Sequence, residues 1–463
     1  MKIRLFSTSI SSLFPILFLI SCKKLIDAEP PRNQVITTQV FSDSTNADAA
    51  ILGMYIQLMG TPFSFTFFNG GITTYTGLMS DELYSTKGNS QENEFYQNSI
   101  SPDNSIVAES WKNAYTIIYQ ANANIEALSE SKNLKQATKD ILLGEAKLVR
   151  ALVYFNLVNL FGKVPLILTT DYRVNMTTGR TAVDSIYKAI IEDLSDSEKL
   201  LPDIRTTTGK TRPTKHAALA LLARVYLFNG DWARAEEASN KIITSGLYSL
   251  NPDLDKIFGT GNTEAIWQLP PVQPGGFETT EGMQFVPFSP NALPNYPVST
   301  NLIQCFEPGD LRKSKWLAFN TVNSQSYYYP YKYKLNYSGS SSPKEHYMMF
   351  RVAEQFLIRA EARAHQNKTA EALADLNVIR VRAGLAQLVI SDQNYLLDKI
   401  ADERRVEFFC EWGHRWYDLK RSNKINNILG IAKSPNWQET DALLPIPFKE
   451  TQLNPFLTQN PGY

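Results

Sequence analysis

The chain has 463 residues, and at roughly 150 residues per domain that length allows two or three domains or one large fused unit. With 43% hydrophobic and 20% charged residues it can build a core and is unlike a disordered tail. Its 46 basic and 46 acidic residues balance, which argues against nucleic acid as a partner held by phosphate neutralisation. No run reaches the roughly 18 to 20 apolar residues needed to span a bilayer, so a multi-pass membrane protein is excluded. Four histidines and three cysteines are too few and too scattered for a zinc or iron–sulfur framework.

Residues 1–21 have the pattern of an export signal. Lys2 and Arg4 form the positive end, and Ile10 to Ile20 is an apolar stretch broken by Ser11, Ser12 and Pro15. As a helix it would be about 16 Å long, too short to cross a bilayer alone. Leu19-Ile20-Ser21-Cys22 resembles a bacterial lipoprotein signal, in which the Cys22 thiolate takes the lipid. Two or more acyl chains give stable anchoring. The bland alternative is an ordinary secretory signal with a chance cysteine. Residues 22–33, with Pro30-Pro31, form a polar tether, and 34–463 are expected to form a single unit. Cys305 and Cys410 either pair or remain as two thiols.

An aromatic, glycine-bearing stretch runs from Pro62 to Tyr75, and a further helix is expected around Trp111 to Leu128. Residues 139–161 then carry two apolar stripes at helical spacing. Leu142, Ala146, Val149, Val153 and Leu160 form one stripe; Leu148, Leu152 and Phe155 form the other. A helix apolar on that much of its circumference is buried among other helices, and Gly162 with Pro165 stops it. Residues 215–244 look like one tetratricopeptide-type repeat, with Leu222, Ala223 and Tyr226 on the first helix and Gly230-Asp231-Trp232 at the turn. Ala235 is the small residue where the second helix packs closely. Residues 353–381 echo this unit, and such units bury their faces only by stacking.

Between residues 245 and 345 glycine, proline and aromatics crowd together. Ala265 to Leu269 reads as a short strand, and Tyr327 to Tyr333 as another that Pro330 demotes to an edge. So long a poorly periodic stretch is more often functional than a mere connection. In 398–421, Ile400, Val406, Phe409, Trp412 and Trp416 line an apolar side with Glu403, Arg404, Arg405 and Glu407 among them; the arginines are expected to pair with carboxylates and cap neighbouring helix ends, the alternative being a catalytic charge cluster. His414 is expected to be structural. The prolines at the carboxyl end fix an extended tail that can lie across helices.

Four segments together resemble the SusD/RagB family of bacterial surface lipoproteins. They are Arg150 to Leu166, Leu222 to Ile243, Glu403 to Leu419 and Leu444 to Tyr463. They occur in family order and span nearly the whole mature chain. The resemblance implies an all-α fold: tetratricopeptide-like helix pairs form a curved frame, with a large irregular loop region and a few short strands. It also implies a non-enzymatic lipoprotein on the outer face of the outer membrane. There it would bind oligosaccharides and deliver them to a SusC-type TonB-dependent transporter. The alternatives are a peptide-capturing lid of the RagB type or a surface glycoside hydrolase.

Sugars present flat C–H patches beside hydroxyls, so they are held by exposed aromatic faces with planar polar groups. Two segments have that composition, about 62–100 and 245–345. The candidate ligand-binding residues are Tyr84, Asn89, Tyr96, Phe277, Phe285, Tyr296 and Tyr328, the last from the run Tyr327 to Tyr329. Histidine pairs at zinc spacing, a G-x-S-x-G elbow and a phosphate-cradling glycine loop are all lacking. Neither a catalytic residue nor a cofactor is therefore assigned. Asp253 and Asp255 hint at calcium only faintly.

Overall fold

The computed structural model describes residues 41–60, 66–205, 208–272, 276–340, 342 and 344–463. The export signal, Cys22 and the tether lie outside the described residues, as do parts of the Pro62–Tyr75 and Pro274–Gly276 stretches. In chain order the helices of eight or more residues are α1 (Ser44–Met59), α2 (Ile72–Met79), α3 (Ser90–Gln97), α4 (Ser105–Glu130), α5 (Gln136–Phe161), α6 (Val183–Leu200), α7 (Lys215–Phe228), α8 (Trp232–Thr244), α9 (Val352–His365), α10 (Thr369–Arg382), α11 (Gln393–Glu407), α12 (His414–Arg421) and α13 (Ile425–Ala432).

The frame follows the periodicity of the chain. Both expected stripes of α5 are buried, and the helix ends where Gly162 takes a φ of 70°, a conformation that side chains disfavour. Upstream, α4 opens on Asn104, whose Oδ1 accepts the Ile106 and Val107 amides at 2.9 and 3.3 Å. Each helix then packs on the next: α4 on α5, α5 on α6, α6 on α7, α7 on α8, α8 on α9 and α9 on α10. The repeat expected at 215–244 is the α7–α8 pair, with Gly230 left-handed at the turn and Ala235 fully buried beneath it. Its echo at 353–381 is the α9–α10 pair. Guanidinium forks clamp the stack. Arg150 donates to both Asp193 oxygens at 2.7 Å, Arg224 to Glu354 at 2.6 and 2.7 Å, and Arg359 to Asp375 at 2.9 and 2.7 Å. That bidentate geometry fixes one helix against another as well as adding attraction.

The irregular region contributes β1 (Ala265–Leu269), β2 (Leu317–Val322), β3 (Gln325–Pro330) and β4 (Tyr347–Arg351). β1 pairs antiparallel with β4, and β2 forms a hairpin with β3. The second expected strand thus ends at Pro330, with the Tyr331 amide still donating to the Trp316 carbonyl at 2.7 Å. The segment 398–421 spans the end of α11 and the whole of α12. Cys410 and Trp412 sit at φ values of 48° and 45°, and Gly413 at 75°, which turns the chain between α11 and α12. Ile400, Val406, Phe409, Trp412 and Trp416 are nonetheless all buried.

Buried ion pairs fasten the loops to the frame. Glu407 accepts from Arg351 and Arg382 at 2.5 Å and from Arg312 at 3.0 Å, and Arg351 also donates to Glu411 at 2.9 and 3.0 Å. Arg404 pairs with Asp418 at 2.9 and 3.1 Å. His414 is buried and stacked on Phe408 with ring centroids 4.7 Å apart. The carboxyl end lies across α5. Leu444 donates its amide to the Leu160 carbonyl at 2.8 Å, and Asn460 donates to the Phe161 and Leu444 carbonyls at 2.9 and 2.7 Å.

Among the described residues the buried Glu281 has no ion-pair partner. Glu281 accepts from Thr73 Oγ1 at 3.3 Å, while its second oxygen is without a partner among the described residues. Burial pushes its pKa up to about 7, against a small opposing effect of the hydrogen bonds it accepts. The unfolded group titrates at roughly 4.3. Between those values the folded chain keeps a proton that the unfolded chain has released, so this contribution to stability falls as pH rises. The limiting slope is about 1.4 kcal/mol per pH unit. Urea unfolding from pH 5 to 7 should show Glu281→Gln with a shallower loss than the wild type. Some slope will persist, because Glu82 and Glu345 are also raised to about 7. Identical slopes would contradict the assignment.

Candidate aromatic binding surface

Three segments distant in sequence are tied together at one surface. Leu83 forms an antiparallel bridge with Val298. The Tyr84 amide donates to the Pro297 carbonyl and the Thr86 amide to the Asn295 carbonyl, each at 3.0 Å. Val298 in turn donates its amide to the Tyr328 carbonyl at 2.7 Å, which joins this ladder to the β2–β3 hairpin. Asn320 on β2 holds the adjoining loop, donating to the Ser289 and Ala292 carbonyls at 3.0 and 2.8 Å.

The base of the surface is charged and braced. Asp81 accepts from Arg415 at 2.7 and 2.9 Å and from Arg405 at 2.5 Å. Burial works against its charge, but the two guanidiniums hold its pKa below the usual carboxylate range. Ser299 closes the brace, donating its hydroxyl to the Asp81 carbonyl at 2.5 Å and its amide to the Glu82 carbonyl at 2.7 Å. Lys87 links the two sides, reaching Glu92 at 2.9 Å and the Tyr296 hydroxyl at 3.0 Å.

On this base the half-buried Tyr84 lies within electrostatic reach of Tyr327 and Tyr96. Burial first, and then the neighbouring hydroxyls of Tyr327 and Tyr96, raise the Tyr84 phenol above its ordinary pKa. Tyr96 ends α3 and is 39% exposed. Beneath it Lys433 donates to the Leu78 and Tyr96 carbonyls at 2.7 and 3.0 Å, with its ammonium 4.2 Å from the Tyr96 ring centroid. Burial brings the Lys433 pKa down to about 7. Three tyrosines, half-buried or exposed, therefore offer ring faces and hydroxyls here. Such a surface suits a ligand with apolar C–H faces and many hydroxyls.

The structure divides the seven expected residues. Tyr84 and Tyr96 belong to the surface. Asn89 is exposed nearby, but its Oδ1 caps α3, accepting the Gln91 and Glu92 amides at 3.0 and 3.3 Å. Phe285 and Tyr296, 3% and 1% exposed, pack edge to face beneath the surface with centroids 6.1 Å apart, so neither presents a face to a ligand. Tyr328 pairs directly with Phe319 across the hairpin, centroids 5.3 Å apart. Alternation puts it on the face opposite Tyr327. Phe277 lies in a separate bridge with Tyr337, centroids 5.3 Å apart. Tyr327 is the residue of this surface that composition alone did not separate from its neighbours, and Lys433 carried no sequence signal at all.

Other expectations resolve in place. Cys305 and Cys410 are both free thiols, the second buried. Asp253 pairs with Lys256 at 3.0 Å, and Asp255 with Lys315 and Lys334 at 2.6 and 3.0 Å, so lysines engage both carboxylates. Among the described residues, no group of three or more His, Cys, Asp or Glu side chains is disposed to hold a metal ion. Also among them, no helix is long and apolar enough to cross a membrane.

Comparison with known proteins agrees with this architecture. Residues 64–227 match the sequence model of a family described as starch-binding and associating with the outer membrane, and residues 311–463 match that of the SusD family. SusD-like protein P2 of Formosa agariphila is 27% identical over 514 residues, covering 97% of this chain and 98% of its own. A SusD homolog from Bacteroides thetaiotaomicron superposes with a TM-score of 0.80 at 20% identity, over 93% of this chain and 99% of that one. A laminarin-binding SusD-like protein gives 0.76 at 25% identity, over 90% and 99%.

Proposed function

We propose that this chain, which belongs to the SusD/RagB family, is a cell-surface lipoprotein that captures oligosaccharides. It hands them unaltered to a SusC-type TonB-dependent transporter. The observation that carries the reading is the backbone ladder that joins the segment of Tyr84, through Pro297 and Val298, to the hairpin that carries Tyr327, with the exposed Tyr96 within electrostatic reach. The laminarin-binding relative of the same fold supports a glycan as the ligand class. The acceptor sequence ending in Cys22 supports a lipid anchor in the outer membrane. A protein that must release its cargo needs only modest affinity, about micromolar to millimolar or about −8 to −4 kcal/mol.

Calorimetric titration of the chain from Lys23 onward against plant, host and microbial glycans tests the reading, with peptides in a parallel arm. Saturable binding to at least one glycan is expected. Binding confined to peptides would move the function to a peptide-capturing lid, and new reducing ends in the glycan arm would move it to a glycoside hydrolase. For the partner, mild detergent extraction from the native membrane should co-purify a protein of transporter size. An isolated monomer would count against the handover step.

A further inference from the structure

A second concavity shares no residue with the tyrosine surface. It is a cleft of about 600 Å³, a volume ordinary for a small-ligand site, between α4, the connection after α5 and the carboxyl-terminal segment. Tyr115 and Tyr119 line it at successive turns of α4, with Trp111, 3% exposed, packed behind them, and Met176 and Leu453 also line it. The wall is anchored. Trp111 packs against Tyr115 and Phe161 at centroid distances of 4.9 and 5.1 Å, and the Tyr115 hydroxyl donates to the Pro165 carbonyl at 2.9 Å. The mouth is open, with Tyr119 55% exposed and Leu453 80% exposed.

Into this aromatic wall projects one carboxylate. Glu450 is half-buried and accepts a hydrogen bond from the Trp111 side chain. Among the described residues no lysine or arginine pairs with it, whereas most other buried carboxylates of the chain are matched to guanidiniums. Lys112, the one cation on the rim, is exposed and sits 3.6 Å from Glu109. Burial raises the Glu450 pKa, as expected for a charge that lacks its complement. A ring-faced wall beside an uncompensated carboxylate is the chemistry that recognises an organic ammonium, through the ring quadrupoles and direct charge pairing.

We infer that this cleft, lined by Glu450 beside the rings of Tyr115 and Tyr119, binds a ligand carrying a primary ammonium on an apolar-faced body. An amino sugar and a lysine-bearing peptide both have that group. Three probes separate them: a glucosamine oligomer, its fully N-acetylated counterpart, and a lysine-containing tripeptide. Each is titrated into the chain from Lys23 onward while tryptophan fluorescence and heat are followed. Binding by the glucosamine oligomer, the tripeptide or both is expected, with the acetylated oligomer weaker by at least ~10-fold. The oligomer alone identifies the sugar source and the tripeptide alone the peptide source.

Glu450→Gln should remove the preference for the charged probe with an unchanged melting temperature. Tyr119→Ala, at an exposed position, should weaken binding without unfolding. The double variant Tyr84→Ala/Tyr327→Ala should leave the ammonium response intact, which keeps failure here distinct from failure of the tyrosine surface. Equal affinity for acetylated and free oligomers, no response to either charged probe, or an unaltered preference in Glu450→Gln would overturn the inference.

Discussion

Replacing Glu407 by alanine is expected to cost about 3–5 kcal/mol of stability, the cost of breaking a buried charge pair from one side. Its carboxylate is fully buried and receives Arg351, Arg382 and Arg312 together. Burial alone would raise its pKa, yet those three guanidiniums hold it well below the usual range. Removing it leaves three buried cations with only Asp310, Glu264, Glu403 and Glu411 to balance them, in an interior where water cannot make up the difference. The loss also unfastens β4 and the loop region from α10 and α11, so glycan binding should fail with stability. Glu407→Gln keeps the volume and removes the charge, and should cost nearly as much. Urea titration should show a lower midpoint at an unchanged slope. A loss under about 1 kcal/mol would mean that Asp310, Glu264, Glu403 and Glu411 suffice to balance the cluster.

Truncating the tyrosine surface should have the opposite signature, a large effect on binding with little on stability. Tyr84→Ala and Tyr327→Ala should each weaken a glycan ligand by about 2 kcal/mol, or about 30-fold in Kd, as for a contact-surface tyrosine. The phenylalanine variants keep the ring face and lose only the hydroxyl, so a smaller loss is expected from them. Tyr328→Ala serves as the control, because its ring lies on the other face of the hairpin against Phe319. Lys433→Met keeps a long side chain while removing the cation under Tyr96, and should weaken binding less than loss of the ring itself. Equal weakening by Tyr328→Ala and Tyr327→Ala would place the ligand elsewhere on the hairpin.

The helical frame was legible because its signals are local. The stripes of α5 repeat every three or four residues, Gly162 marks their end, and the small Ala235 fixes the turn between α7 and α8. β1 showed as an apolar run of strand length bounded by loop residues. The break at Cys410 and Trp412 was not legible. Neither residue type announces a left-handed backbone, and only packing of Trp412 against the loop region, with its indole donating to the Met348 carbonyl at 2.7 Å, accounts for it.

The site was half legible for a related reason. Composition located the aromatic segments, but whether a ring faces solvent or core depends on pairing between residues some 200 positions apart. The ladder of Tyr84 and Thr86 with Asn295 and Pro297 leaves Tyr84 at the surface and turns Tyr296 inward. Likewise the hairpin register, Asn320 opposite Tyr327 and Phe319 opposite Tyr328, decides which tyrosine of the run faces Tyr84.

The most direct measurement is a spectrum of the tyrosine rings during titration with a glycan that binds. With tyrosine side chains isotopically labelled, the resonances of Tyr84, Tyr96 and Tyr327 should shift together and saturate at the calorimetric Kd, while Tyr296 and Tyr328 move little. Saturating glycan that leaves those three resonances in place while others shift would contradict the account.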